Sequence, residues 1–226
     1  MCIRDRSIIL ISIISLLLIV QPDIGQTLLV VFCWATLIFT SGINIYILLA
    51  IFTAGASLLA YLIIYVPRFD YIQGRIFSFF NRETGTHNFQ SDKAIESITS
   101  GGFFGKGIGE GVLKNRVPEA HTDYIISVIS EEFGVVAIML ILLLFLILIY
   151  MVFKKISFET NDKAKLILIG SISLILMQAT IHVGVNIRLF PTTGMTLPFL
   201  SYGGSSIIST SILAGIILNL TKRKIT

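Results

Sequence analysis

Apolar residues in this chain arrive in long unbroken blocks, not at the spacing of amphipathic helices or half-buried strands. The blocks run over 7–20, 27–40, 45–66, 124–153, 164–186 and 204–220. Most are long enough, or nearly so, to cross the roughly 30 Å hydrocarbon layer as a helix. The pattern predicts an all-α, polytopic transmembrane helical bundle of about six spans. Between the first two blocks stands QPDIGQ (21–26), where Pro22 and Asp23 favour a surface turn over one very long helix. A polar stretch over 67–122 reads as one large loop. The chain is thus expected to form a single integral membrane domain over 1–226: three spans in 7–66, the loop over 67–122, then three spans and a tail over 123–226.

Composition agrees: 54% of residues are hydrophobic and 13% charged, against about 25% charged in soluble domains. The net charge of +4 does not point to nucleic acid, because the basic residues gather at block ends and form no stripe. Alternating crossings put Arg4, Arg6, Lys154, Lys155, Lys163, Lys165, Lys222, Arg223 and Lys224 on one side, and only Arg188 on the short loop opposite. The first side is therefore expected to be cytoplasmic, and the 67–122 loop external. No small-residue cleavage site follows the first block, so no signal peptide is expected. MCIRDR reads as a truncated or artefactual start. Of the two cysteines, Cys33 lies within an apolar block; neither suggests a disulfide or a metal site.

Costly polar groups in membrane proteins mark function, and here they collect on the outer side. In VPEAHTDYIISVISEE (117–132), Thr122 is a candidate N-cap, and Asp123, Ser127, Ser130, Glu131 and Gly134 share one helical face. That face should meet a cavity or another helix. Asp123 alone admits two readings, a first-turn acid stabilising the helix dipole or a general base. Glu119 and His121 read as loop-organising or cation-pairing groups, and Glu131 and Glu132 can pair with neighbouring basic groups. GGFFGKGIGEGVLKNR (101–116) combines six glycines with Lys106, Lys114 and Arg116, which suits a diphosphate but also describes a flexible surface loop. In FPTTGMTLPFLSYGGSS (190–206), Pro191 and Pro198 forbid regular helix, and Gly203 and Gly204 open the last span. Amides there can bind phosphate oxygens, or the glycines can serve a tight re-entrant turn. His182 and Asn186, one helical turn apart, read as a helix–helix hydrogen bond.

QPDIGQ (21–26), GGFFGKGIGEG (101–111), VPEAHTDY (117–124), SEEFG (130–134) and TLPFLSYGGSS (196–206) together resemble the SEDS family of cell-wall glycosyltransferases, in order and in intervening spans. The resemblance covers essentially 8–222. The EAHTD form with PTTGMTLPFLSYGG is closer to the FtsW-type, division-associated branch than to the RodA type. Gln26 departs from the threonine frequent there. The family usually has about ten spans, so the resemblance implies a C-terminal fragment lacking roughly the first four.

It further implies a peptidoglycan glycosyltransferase that polymerises lipid II at the outer face of the bacterial cytoplasmic membrane, working with a penicillin-binding transpeptidase and other division proteins. The family's loop aspartate maps onto Asp123, the expected base. Lys114, Arg116 and Lys106 are expected to neutralise the pyrophosphate, and Glu119, His121, Ser201, Tyr202, Gly203 and Gly204 to shape the pocket. No cofactor or metal site is evident, and a divalent-cation requirement stays open. Two rival readings remain: a lipid II flippase, which needs alternating access and no base, and a non-catalytic scaffold of the division complex.

Overall fold

The computed structural model describes residues 3–21, 23–80, 86–112 and 117–222. Among these the secondary structure is helical, with no strand. Eight α-helices follow in order: α1 (Ile3–Val20), α2 (Ile24–Thr40), α3 (Ile45–Tyr65), α4 (Asp70–Phe80), α5 (Thr86–Gly101), α6 (Ile125–Phe158), α7 (Asp162–Asn186) and α8 (Gly204–Thr221). α3, α6, α7 and α8 are long and apolar enough to cross a membrane, and α1 and α2 are shorter apolar helices. The protein is a polytopic membrane helical bundle, and the six apolar blocks coincide with six of its helices. The chain divides into two compact units, Met1–Gly85 and Thr86–Thr226.

In the first unit the QPDIGQ turn separates α1 from α2. Asp23 caps α2, its carboxylate accepting from Gln26 N–H at 3.0 Å, and Thr27 Oγ1 donates to the Asp23 carbonyl at 2.7 Å. The acid therefore satisfies helix-start amides that would otherwise lack partners. Asn44 does the same for α3 through Tyr46 N–H at 3.0 Å. Cys33 is buried on α2, and Ala35, Ile38 and Leu48 form a small core between α2 and α3. After α3 the polar stretch is not an open loop but turns through a 3₁₀ segment (Pro67–Phe69) into α4.

The second unit carries the rest of that stretch, because α5 packs closely on the start of α6. Only three residues separate α6 from α7, which forces the two antiparallel. Val152, Leu168, Ile172, Ile175 and Ile217 interdigitate α6, α7 and α8. The helices differ sharply in burial: 44% of the apolar window of α7 is buried but 6% of that of α6. α6 is thus apolar on all sides and packed on few of them within this unit. α7 is the central post of this unit, and its end at Asn186 lies beside the starts of α6 and α8.

Candidate active site

The turn before α6 places Asp123. Glu119 adopts a left-handed backbone (φ 55°), which aims its carbonyl at the amides of Thr122, Asp123 and Tyr124, at 3.2, 3.0 and 3.4 Å. Thr122 Oγ1 donates back to the carbonyl of Glu119 at 3.1 Å and to its carboxylate at 3.0 Å. Thr122 is thus a turn residue and not the expected N-cap. The cap position is Tyr124, with no side-chain cap bond, and the first turn of α6 contains no acid. Asp123 therefore stands one residue ahead of the cap position and is not a first-turn acid.

Three consecutive carbonyls then fix this strand of chain from outside. The His121 carbonyl accepts from Tyr202 N–H at 3.0 Å, that of Thr122 from Ser201 Oγ at 2.7 Å, and that of Asp123 from Asn186 Nδ2 at 3.0 Å. Ser201 Oγ also accepts from Leu197 N–H at 2.8 Å, so one buried hydroxyl links two segments. Asn186 is fully buried and bonds its own helix through the His182 carbonyl at 2.9 Å. The expected helix–helix bond is in fact a helix-to-turn bond that orients Asp123.

The segment 187–203 is built around its glycines and one glutamine. Gly194 (φ 69°) lies against the Asp123 carboxylate; a Cβ there would sit 3.5 Å from Oδ2. Gln178 Nε2 donates to the carbonyl of Thr196 at 3.0 Å, to its hydroxyl at 3.1 Å and to Ser206 Oγ at 3.3 Å. Arg188 pairs with Asp92 of α5. Gly203 caps α8 in extended backbone, without a side-chain bond.

Over residues 102–112 the glycine-rich loop that follows α5 is docked on α6. α6 breaks at Gly134 (φ 78°, ψ 179°), which frees two carbonyls and two amides from the i→i−4 ladder. The loop takes all four. Val135 N–H and Val136 N–H donate to the carbonyls of Gly102 and Phe103 at 3.0 and 3.3 Å, while Lys106 N–H and Gly107 N–H donate to those of Glu131 and Glu132 at 2.9 and 3.1 Å. Such contact needs glycine: a Cβ would lie 1.9 Å from the Ser130 oxygen at Gly101 and 2.2 Å from the Glu132 oxygen at Gly105. The polar face of α6 meets this loop and α5, for Ser127, Ser130, Glu131 and Gly134 are all buried. Lys106, expected to be available to a diphosphate, is instead paired with Glu131 at 3.3 Å.

The structure therefore gathers Asp123, Glu119, His121, Ser201, Tyr202, Gly203 and Gly204 at one end of the second unit. Asp123 is half-buried, Ser201 buried, and Glu119, His121 and Tyr202 exposed around them. Lys106 lies further along α6, beside Glu131, and Lys114 and Arg116 fall outside the described residues. Asn186, Gln178 and Gly194 complete the framework. Asn186 reads from the sequence as a hydrogen-bonding residue, whereas the signal of the other two is faint: an amide on a largely apolar span, and a glycine between two prolines. An apolar groove of about 360 Å³ between α6 and α7, lined by Phe145, Ala179, Val183 and Phe190 among others, is chemically unsuited to a sugar and does not include Asp123. Among the described residues no cluster of three or more His, Cys, Asp or Glu gathers to hold a metal. What remains is a carboxylate whose main chain is immobilised and whose side chain stands at a polar rim, an arrangement able to take a proton from a hydroxyl.

Comparison with known proteins gives this arrangement a context. A family model described as cell cycle protein, covering FtsW, RodA and SpoVE, matches residues 4–225. The chain is 36% identical over 210 residues to the probable peptidoglycan glycosyltransferase FtsW of Caulobacter vibrioides, spanning 92% of this chain and 52% of that protein. With the corresponding protein of Enterococcus hirae it shares 32% over 225 residues, 94% of this chain and 57% of that one. A solved structure described as showing structural coordination of polymerization and crosslinking by a peptidoglycan synthase complex is similar at a TM-score of 0.74 and 28% identity, over 95% of this chain and 60% of that chain. A mutant of the rod shape determining protein RodA of Thermus thermophilus is similar at a TM-score of 0.59 and 28% identity, over 98% of this chain and 58% of that chain. The chain thus spans little more than half the length of the curated relatives it matches.

Proposed function

Because this chain belongs to the FtsW, RodA and SpoVE family of cell cycle proteins, we propose that it carries the reaction site of a peptidoglycan glycosyltransferase that polymerises lipid II during cell division. Two relatives bear the name of that activity. The observation that supports it best is the three-carbonyl anchorage of residues 121–123, which holds Asp123 at a rim of exposed polar groups.

In this reading Asp123 removes the proton from an acceptor sugar hydroxyl as its oxygen attacks the anomeric carbon of the donor. The bond from that carbon to the polyprenyl diphosphate breaks, and the electron pair leaves with the diphosphate. That leaving group is already acidic, so cations and amides can stabilise it where a glycosidase needs a second carboxylic acid. Lys114 and Arg116 are the candidate cations, and the uncapped start of α8 at Gly203 and Gly204 offers amides. Glu119, His121, Ser201 and Tyr202 shape the rim. The basic residues at the opposite end of α6 and α7 (Lys154, Lys155, Lys163 and Lys165) support a reading in which that end is cytoplasmic and the site lies at the outer face of the bacterial inner membrane. A penicillin-binding transpeptidase is the proposed partner, since a similar structure is a complex that couples polymerization to crosslinking.

The test is Asp123→Asn, which keeps the side chain's shape, in the full-length protein with its partner. Polymer formation from lipid II should fall by about 10²–10⁴-fold, while membrane insertion and complex assembly stay normal. Polymerisation at the original rate would refute the assignment. Loss of lipid transfer across the bilayer with polymerisation intact would favour a flippase.

A further inference from the structure

The glycine-rich loop turns polar backbone inward and apolar side chains outward. The amides of Gly105, Lys106 and Gly107 donate to the carbonyls of Gly101, Glu131 and Glu132, and that of Glu110 to the Gly107 carbonyl. Those of Gly109 and Val112 donate to the carboxylates of Glu132 and Glu131 at 3.3 and 3.0 Å. Phe103 and Phe104 face the other way, 74% and 85% exposed. Single exposed apolar residues are ordinary, but two adjacent phenylalanines this bare, on a loop whose backbone is held at both ends, form a defined apolar projection. Irregular backbone can approach hydrocarbon only where its amides are satisfied within the protein, and this loop meets that condition along most of its length.

The same bonds fix the level of the loop along α6. The Gly102 and Phe103 carbonyls accept from Val135 and Val136 N–H at 3.0 and 3.3 Å, so the phenylalanines stand where the uncharged run of that helix begins. Residues 135–153 carry no charge; Glu131 and Glu132 precede them, and Lys154 and Lys155 follow. At about 1.5 Å per residue this run is roughly 28 Å long, close to the ~30 Å thickness of the hydrocarbon layer. With the lysines at one boundary of that layer, Val135, Val136 and the loop bonded to them reach the other. The bonds between loop and helix all fall within one or two turns of α6, about 5–10 Å, and the interfacial zone on each side of a bilayer is about 5–8 Å deep. Phe133, Val135 and Val136 are themselves exposed at this level, so the apolar projection continues onto the helix.

We propose that Phe103 and Phe104 are a membrane-interface anchor, inserted between the lipid headgroups and the first methylenes of the leaflet at the Asp123 end of the bundle. The occupant of this surface is bilayer lipid, because the level of the loop coincides with the boundary that the length of the α6 run defines. The anchor keeps the docked loop, and with it the Gly134 break of α6, at the surface of the membrane. It is independent of the reaction assigned to Asp123 and holds for either orientation of the bundle.

The test places nitroxide labels at Phe103→Cys, Phe104→Cys and Glu110→Cys in the full-length protein, its native cysteines replaced by alanine, in vesicles of phosphatidylethanolamine and phosphatidylglycerol. Collisions with oxygen, which concentrates in lipid, are compared with collisions with a water-soluble nickel chelate. Labels at 103 and 104 should favour oxygen and lie within about 5 Å of the hydrocarbon boundary. The label at 110, where the same loop carries a charged residue, should favour nickel. Nickel-dominated labels at 103 and 104 would leave them in water and overturn the proposal. Immobile labels shielded from both reagents would show that protein covers the loop, and would overturn it as well. Should the cysteine-free protein fail to fold, Phe104→Trp in the otherwise unchanged chain gives a second reading. Its added fluorescence should be quenched by lipid brominated near the headgroup end of the acyl chain; quenching by aqueous iodide instead, or by neither, would refute the anchor.

Discussion

Gly134→Ala is the sharpest perturbation the fold offers, because the methyl group has nowhere to go. The residue sits at φ 78°, ψ 179°, a region open almost only to glycine and worth about 1–3 kcal/mol of strain to anything else. Its Cβ would lie 2.2 Å from the Phe103 oxygen, 2.4 Å from the Phe103 carbonyl carbon and 2.5 Å from Gly105 N. All three are main-chain atoms, so no rotamer change relieves the clash. The available escape is to expel the loop and straighten α6. Straightening recovers two helical bonds, Val135 N–H to the Glu131 carbonyl and Val136 N–H to that of Glu132. It forfeits the loop's own four bonds to α6 and removes Lys106 and Val112 from Glu131. Stranding a buried ion-pair partner costs about 3–5 kcal/mol, and the departing loop lets water reach Glu131, which places the expected loss near 3 kcal/mol. Equilibrium unfolding in mixed micelles measures it, with amide exchange at Lys106 and Gly107 reporting whether the loop has left. Two controls grade the effect. Gly102→Ala, at φ 58° with no atom within 4 Å, should cost only the left-handed strain of about 1–2 kcal/mol. Gly204→Ala, in open space within a helix, should be neutral or stabilising by up to about 1 kcal/mol. A Gly134→Ala protein within about 1 kcal/mol of the parent, its loop amides still protected, would refute the docked-loop reasoning.

Asn186→Ala should destabilise the protein by about 1–3 kcal/mol, since it leaves the Asp123 carbonyl without its donor. Asn186→Asp should be worse, because it turns an acceptor toward the carbonyls of Asp123 and His182; thermal unfolding of both variants checks the order. At the α6–α7 corner, the Asn161 amide and then Lys155 hold the Glu159 carboxyl below the usual carboxylate range. A depressed carboxyl stabilises above its ordinary pKa and loses that contribution as pH falls through the lowered value. Protection of Asn161 N–H should therefore be full near neutrality, fade only in acid, and lose this acid dependence in Glu159→Gln, as exchange measured against pH will show.

The spans were legible because lipid leaves no alternative: a chain that crosses hydrocarbon must satisfy its amides internally, and long apolar blocks do so only as helices. The turns were legible in part. Asp23 reads from the sequence as part of a surface turn, and its role as the cap of α2 emerges only in the structure. Thr122 did not cap α6, because the left-handed Glu119 drew the hydroxyl and three amides onto its own carbonyl, a choice no local preference announces. α4 and α5 were hidden inside a stretch that reads as loop. α5 owes its place to Ala94 and Ser97, which are fully buried in the second unit, so tertiary contact overrides weak local propensity. The glycines of 101–111 misled for a related reason. Glycine marks both freedom and close approach, and only the partner atoms at Ser130, Glu131 and Glu132 decide which.

One of the membrane-length helices, α7, explains how the site is held. Gln178, His182 and Asn186 recur at four-residue intervals, which puts them along one face of α7. Facing lipid, such a stripe would be expensive. Facing inward, Gln178 fastens 196 and 206 while Asn186 fastens the turn of Asp123. Apolar helices in lipid gain little from mutual contact beyond packing, so such bonds are what give an assembly a single geometry. The bonds gather at one end of α7, whereas the half of the helix toward Asp162 is held by the aliphatic contacts of Leu168, Ile172 and Ile175. Rigidity is thus concentrated beside the proposed base, and the same polar stripe that lowers the hydropathy of α7 supplies it.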